Sequence, residues 1–360
     1  MIYRIALTMI PQVGSVHARS LIQAFSCARE IFSAPKRLLE KLEGIGSIRA
    51  GNIKTFQNFH ECEKEMRFMD KHGIVAYFIT DTNYPKRLLH CYDAPVLFYY
   101  KGTADLNTTR VLSVVGTRNP STYGREQCEC LIEGMPGDVL IISGLASGID
   151  TFAHRAALNN GHNTVGILAH GFQTIYPRHN AHLAAQMTRS GGLITEFMSS
   201  IQPDRENFPE RNRIVAGISD CTVVVETGPK GGSMITARLA NEYNREVFAF
   251  PGRANDAKSE GCNLLIKNNR AQLITSAKDL LEFMNWNEKI KKESPVQPQL
   301  FYDLDETEKQ LASILQHGQK HIDELMMFGI PAGRLASSLL SLELHGCVES
   351  LPGKRYRWKG

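Results

Sequence analysis

The sequence predicts an α/β protein whose middle is a doubly wound, mostly parallel sheet, with a helical domain before it and a small helix-and-hairpin domain after it. Three observations carry this. Short, continuously apolar runs alternate with helical stretches from about Thr82 to Asn285, the mark of parallel strands joined by crossover helices. Two similar glycine turns precede that region, and three helical patterns followed by a hairpin pattern succeed it. At 360 residues the chain also exceeds what one hydrophobic core usually serves.

The first segment, residues 1–81, holds "MIPQVGSVHARSLIQAF" and "LEGIGSIRAGNIKTF", each placing glycine between apolar residues ahead of a helix that carries basic side chains. The repeat is similar to tandem helix-hairpin-helix units, in which amides at a helix start face phosphates. The plainer reading is that Gly14, Gly44 and Gly46 only close tight turns between packed helices.

In the second segment, 82–285, eight strands are expected at 96–100, 111–116, 139–143, 164–168, 193–197, 222–226, 247–250 and 272–275. Their unbroken apolarity implies burial on both faces. Such a Rossmann-like sheet binds ligands beyond the carboxyl ends of its strands.

A polar stretch with two prolines, "NWNEKIKKESPVQPQL", marks a linker at 286–302. Residues 303–360 then order three helices and a hairpin turning at Pro352 and Gly353, as in a winged helix. Its third helix offers duplex DNA only Arg334, beside Glu343, while Lys354, Arg355 and Arg357 make a basic tip. Protein contact fits this domain as well as DNA contact does.

Composition narrows the function classes. With 42% hydrophobic and 22% charged residues the chain is globular, and its net charge of +4 permits a polyanionic partner without requiring one. The eight cysteines show no CxxC or zinc-type spacing, which predicts reduced thiols in a cytoplasmic protein without a metal. The N-terminus lacks a signal-peptide pattern, and no run reaches the roughly 20 apolar residues that span a bilayer. Neither G-x-G-x-x-G with a following acidic residue nor a Walker A loop occurs, so the common nucleotide cofactors lose support.

The loops after the strands instead repeat one theme: "VVGTRNPS", "ISGLASGID", "AHGFQTIYPRHN", "FPERNRIVAG", "ETGPKGGSMITA" and "FPGRAND". Each loop offers glycines, small hydroxyls or arginines, which suit phosphate. One or two such loops would serve a single nucleotide. Six along one edge suit a longer polyanion, and hence single-stranded nucleic acid.

The motifs "SGLASGIDTFAHRAAL", "GILAHGFQTIYPRHN", "FPERNRIVAGIS", "GGSMITARLA" and "FAFPG" closely resemble those of the DNA-processing protein A family, DprA, also called Smf. The resemblance spans nearly the whole second segment and implies a Rossmann-like core between a helical SAM-like domain and a winged helix. It further implies a homodimer without a cofactor that protects incoming single-stranded DNA in natural transformation and loads the RecA recombinase onto it. Carried over residue by residue, it points to Gly116 and Arg118, to Ser143, Gly144 and Gly148, to Arg178 and Asn180, to Arg211, Asn212 and Arg213, and to Gly232 and Ser233. The chain departs from the family's pattern before Gly171, before Glu196 and at "GPKGGS", so no role passes to His170 or Lys230.

Each candidate has a plainer role to weigh against phosphate contact. Arg118 could pair with Asp150 or Glu226, and Arg211 and Arg213 could cap a helix or pair with Glu206 and Glu210. Because alternate residues on a helix diverge, at most one of those last two arginines faces a ligand. Asp150 and His154, four apart, are expected to steady a helix start and to pack as a neutral imidazole, not to hold a metal. Among aromatics, Tyr176, Phe172 and Phe208 are the bases' stacking candidates. The rival function is a nucleotide-monophosphate hydrolase, but the helix after "GPKGGS" carries Ala237, Arg238 and Leu239 where such enzymes place a glutamate. No catalytic residue is expected.

Overall fold

The computed structural model describes residues 1–25, 27–287, 304–316, 318–351 and 353–359, in two compact units, 1–287 and 288–360. The linker expected at 286–302 lies outside the described residues beyond Asn287, and so does Pro352 of the expected hairpin turn.

One nine-stranded sheet organises the first unit. Its strands are β1 (Val75–Phe78), β2 (Leu97–Gly102), β3 (Val111–Val115), β4 (Leu140–Ser143), β5 (Thr164–Ile167), β6 (Gly191–Thr195), β7 (Cys221–Val224), β8 (Glu246–Ala249) and β9 (Gln272–Leu273). They lie in the order β1-β2-β6-β5-β4-β3-β7-β8-β9. From β6 to β9 all neighbours are parallel, and β2 joins β6, and β1 joins β2, antiparallel. The eight expected strands are therefore β2 to β9. Sequence reasoning missed β1, because only alternate residues of "VAYF" are fully buried and no apolar run announces it.

Burial on both faces is as expected in the central strands, while both residues of the edge strand β9 are exposed. Along β3, Val111 and Val115 pack on one side with Ile214, Val215 and Ala237, while Leu112 and Val114 pack on the other with Leu131, Ile149 and Ala153. The first set comes from α11 (Asn207–Gly217) and α12 (Gly232–Glu242), the second from α8 (Thr122–Glu133) and α9 (Ile149–Asn159). The chain winds outward from β3 through β4 and β5 to β6, then returns through α11 to place β7 on the other flank of β3. The sheet's order thus reverses between β3 and β7.

Six helices precede the sheet: α1 (Ile2–Thr8), α2 (Ser15–Ala24), α3 (Ala28–Ser33), α4 (Lys36–Glu40), α5 (Gly46–Lys54) and α6 (Phe59–His72). Their apolar faces share a core with Phe78, Leu97 and Tyr99 of the sheet. The two glycine turns lie side by side, since Arg49 donates to the carbonyls of Gln12 and Gly44, and Asn52 to that of Pro11. Buried polar clips fasten this layer: Glu65 accepts from the Ser199 amide and hydroxyl, and Arg19 donates to the carbonyls of Leu89 and Cys91.

Four further helices complete the first unit: α7 (Lys86–Leu89), α10 (Ala181–Met187), α13 (Glu260–Lys267) and α14 (Ala277–Phe283). The second unit is a winged helix, with α15 (Glu306–Leu315), β10 (Lys320–His321), α16 (Ile322–Met326), α17 (Ala332–Leu344), β11 (Val348–Leu351) and β12 (Arg355–Trp358). Leu311, Leu325, Leu335 and Leu342 form its own core. In the basic tip, Arg357 pairs with Glu349.

His154, on the buried face of α9, sits 2.7 Å through Nδ1 from the Thr164 hydroxyl. Burial, aided by Arg211, pushes its pKa down to about 3. Below the unfolded value of about 6.5, the unfolded chain gains a proton that the folded chain refuses, so stability falls with pH. His162 and His170, lowered chiefly by burial, act in the same direction. Urea unfolding between about pH 7.5 and about pH 5.5 is expected to show His154 contributing a loss of roughly 1.4 kcal/mol. His154→Gln removes that share, and an undiminished acid loss in the variant would clear His154.

Candidate nucleic-acid interface

A cleft of about 270 Å³ opens where the order of the sheet reverses, the place at which doubly wound sheets leave room for a ligand. Its walls are the loops leaving β3, β4 and β7 together with the first turns of α11 and α12.

The floor is built around Arg211. This guanidinium is 4% exposed and donates through Nη1 to the carbonyls of Gly144 and Ile167. With Arg211 in this position Gly144 has no room for a side chain, because a Cβ there would collide with the Arg211 guanidinium. Asp150 lies against the same loop and accepts from the Gly144 and Ala146 amides at 3.1 and 3.3 Å. Burial raises the Asp150 pKa against the pull of Arg211 and lowers that of Arg211 to about 10 against the pull of Asp150. Arg211 Nε finds no acceptor among the described residues.

Opposite stands the N-terminus of α12, capped by Gly231, with no acidic residue in its first turn. The amides of Gly232 and Ser233 have no intrahelical acceptor, as at any helix start, and carry the positive end of the helix dipole. Ser233 donates to the Thr227 hydroxyl at 2.7 Å and Asn212 to the Gly232 carbonyl at 3.4 Å, which fixes this turn against α11.

Arg118 forms the rim. It is exposed and forms no ion pair among the described residues, and its guanidinium lies 5.1 Å over the Phe208 ring. Tyr176 meets the same ring edge-on at 6.0 Å and is 47% exposed. Neither carboxylate weighed as a partner for Arg118 takes that role. Glu226 accepts from the Ser121 amide and hydroxyl, and Asp150 from the two loop amides. His154 and Asp150 do not bond each other, in keeping with their expected structural parts.

Of the residues singled out from sequence, the structure brings Gly116, Arg118, Gly144, Arg211, Asn212, Gly232 and Ser233 into this cleft. Three stand behind it. Gly148, at φ +82°, lets the start of α9 pass beneath the Thr117 and Arg118 backbone, and Asn180 donates to the Leu145 carbonyl and the Thr151 hydroxyl. Ser143 turns inward, donating to the Val114 carbonyl. Arg178 is exposed at the start of the short 3-10 helix Arg178–Asn180 that leads into α10.

Arg213 is placed elsewhere. Two positions along α11 from Arg211, it pairs with Glu196, donates to the Asp93 carbonyl and meets the Ser15 hydroxyl of the helical layer. Its partner is Glu196, where sequence had weighed Glu206 and Glu210. Sequence reasoning left Thr117, Thr227, Gly231 and Thr236 unnamed, although all line the cleft. The signal for Phe208 as a wall residue was its spacing: it lies three residues before Arg211 and shares that helix face.

The geometry has counterparts in known proteins. The model of the DNA recombination-mediator protein A family matches residues 75–285, and that of the DprA winged helix domain matches 295–354. The DNA processing protein DprA of Streptococcus pneumoniae is 41% identical over 206 residues, which is 57% of this chain and 73% of the relative. A solved structure of that organism's DNA processing protein A superposes with a TM-score of 0.69 at 31% identity, covering 78% of this chain and 97% of the other. The DNA processing protein A of Helicobacter pylori, solved for its single-stranded DNA binding mode, gives a TM-score of 0.55 at 27% identity, covering 60% of this chain and 97% of that one. With the family's model matched over more than half of its length, the chain belongs to the DNA recombination-mediator protein A family.

Proposed function

We propose that this chain binds single-stranded DNA without sequence preference, using the cleft between β3 and β7 and the loops around it to hold phosphates. The observation that carries this reading is the donor set. A buried Arg211, an exposed Arg118 and the free amides opening α12 converge on one cleft, and all of them complement phosphate. Such donors position a backbone and read no base edge. Exposed Arg178 lengthens the path along the strand, and Tyr176 and Phe208 offer ring faces for bases. The Helicobacter pylori relative, described for its single-stranded DNA binding mode, supports the same ligand.

The family resemblance extends the proposal to the chain's biological part. It protects incoming DNA and loads RecA onto it in natural transformation and recombination, working in the cytoplasm as a homodimer. In this scheme the segment 82–285 holds the strand, and the winged helix at 303–360 remains for a protein or duplex. No hydrolytic step is assigned, because Asp150, which lines the cleft, and Glu226, just after β7, are both engaged as acceptors for loop groups.

Fluorescence anisotropy with a labelled single strand, a duplex and a mononucleotide at two salt concentrations tests the reading. Tight, salt-sensitive and uncleaved binding of the single strand is expected. Arg118→Ala and Arg178→Ala are each expected to weaken all sequences alike and to flatten the log–log salt slope by about 0.7. Unchanged affinity in both variants would remove the loops from the interface.

Gly144→Ala displaces the Arg211 guanidinium and is expected to weaken strand binding about tenfold. Gly137→Ala is the control, since its Cβ meets nothing within 4 Å. Equal binding by the two alanine variants would mean that Arg211 plays no part.

A further inference from the structure

We infer that the bound strand runs on from the cleft to a second depression at the end of β8, where Tyr123 stacks on a base and Arg253 takes a phosphate. The inference rests on the strand-binding reading, and it supplies what the phosphate donors of the cleft lack, a means of choosing unpaired bases over a duplex.

Position is the first argument. The depression, of about 910 Å³, lies at the same carboxyl edge of the sheet, between the start of α8 and the loop that leaves β8. One segment serves both sites: Thr117 and Arg118 line the cleft, and Ser121 and Tyr123 line the depression. Three residues span at most about 11 Å, so Arg118 and Ser121 lie within reach of neighbouring nucleotides. The ground between them is fixed. Ser121 bonds Glu226 through its amide and its hydroxyl, and the Gly261 amide donates to the Thr227 carbonyl at 2.8 Å, which ties the far end of the β8 loop to the wall of the cleft.

Chemistry is the second argument. Tyr123 is 41% exposed, its hydroxyl donates to the Pro251 carbonyl at 2.8 Å, and its ring meets no other aromatic side chain among the described residues. A ring held at its tip and otherwise bare is a platform for a base, and only an unpaired base has a face to offer it. Arg253 lines the same depression, is exposed, and forms no hydrogen bond or ion pair through its side chain among the described residues. Its main chain is pinned all the same, because Asn263 on α13 donates to the Gly252 and Arg253 carbonyls and accepts from the Gly252 amide. The lining's one carboxylate among the described residues, Asp256, accepts from the Lys258 amide and the Ser259 hydroxyl and does not clamp Arg253. A cation on a fixed loop beside a bare ring answers the two parts of a nucleotide, phosphate and base.

The test compares strand lengths on the full chain. Anisotropy is measured with labelled oligothymidylates of about 5 and about 15 nucleotides. Tyr123→Leu and Arg253→Ala are each expected to weaken the longer strand about tenfold and to leave the shorter one, which fills the cleft alone, close to the parent value. Tyr123→Phe keeps the ring and is expected to lose far less than Tyr123→Leu. Tyr123→Trp adds an indole whose emission, measured against the parent protein, is expected to fall when the longer strand binds and to hold steady with a duplex. An unchanged dependence on length in Tyr123→Leu and Arg253→Ala, an equal loss in Tyr123→Phe and Tyr123→Leu, or an indole that the strand does not quench would each overturn the inference and leave the strand-binding reading intact. Failure of the parent protein to bind either length would overturn that reading instead.

Discussion

The site depends on one buried cation. Arg211 leaves α11 beneath the ends of β4 and β5 and bonds a carbonyl at each, Gly144 and Ile167. A guanidinium taken out of water is costly unless carbonyls, a carboxylate or a ligand answer it, and here Asp150 supplies the opposing charge. That single demand accounts for much around it. A side chain at Gly144 would push the guanidinium aside, and Asp150 is held buried with its carboxylate on two loop amides. Asn180 and Thr151 brace the same loop from behind.

The same helix fastens the rest of the first unit. Arg213 reaches the opposite way, to Glu196 after β6, to Asp93 and to Ser15 at the start of α2. Burial pushes the Glu196 pKa up to about 7 despite Arg213, while Glu196 and Asp93 together raise that of Arg213. Burial therefore weighs on the carboxylate, and the pair is a fixing point whose strength lies in geometry. One short sequence, "RNR", thus divides its charges between the cleft and the helical layer, because residues two apart on a helix point about 200° away from each other.

The sheet was legible because strands covered on both faces read as apolar runs, as those at the centre of the sheet do, although the edge strand β9 is exposed. β1 escaped because its Val75 is exposed and its run is short. Within the site, glycines and arginines were legible by chemistry: a glycine after a buried strand permits close approach, and a cation there needs a partner. Arg213 shows where that logic stops, since no pattern in one sequence says that Glu196, seventeen residues earlier, closes the pair. Thr227, Thr236 and the cleft's hydroxyl network were silent for a related reason. A threonine's role depends on which neighbour its hydroxyl meets, and Thr227 is defined by Ser233, placed by the turn between β7 and α12.

The rim and the floor differ in what water does to them. Arg118 is solvated, so its hold on a phosphate is screened by salt and exchanges readily with counterions. Its position over Phe208 limits how far it wanders, and Tyr176 buttresses that ring from the edge. Arg211 is shielded, so any anion that reaches it is screened little and must shed its own water to bind. In the proposed function, a strand meeting this edge would be captured first by the exposed cations, at a rate set by salt. It would be retained by the buried one, to an extent set by how completely its phosphate fits the donors that Arg211 and α12 present. In the proposed function, sequence independence would follow from that order, because neither step consults a base edge.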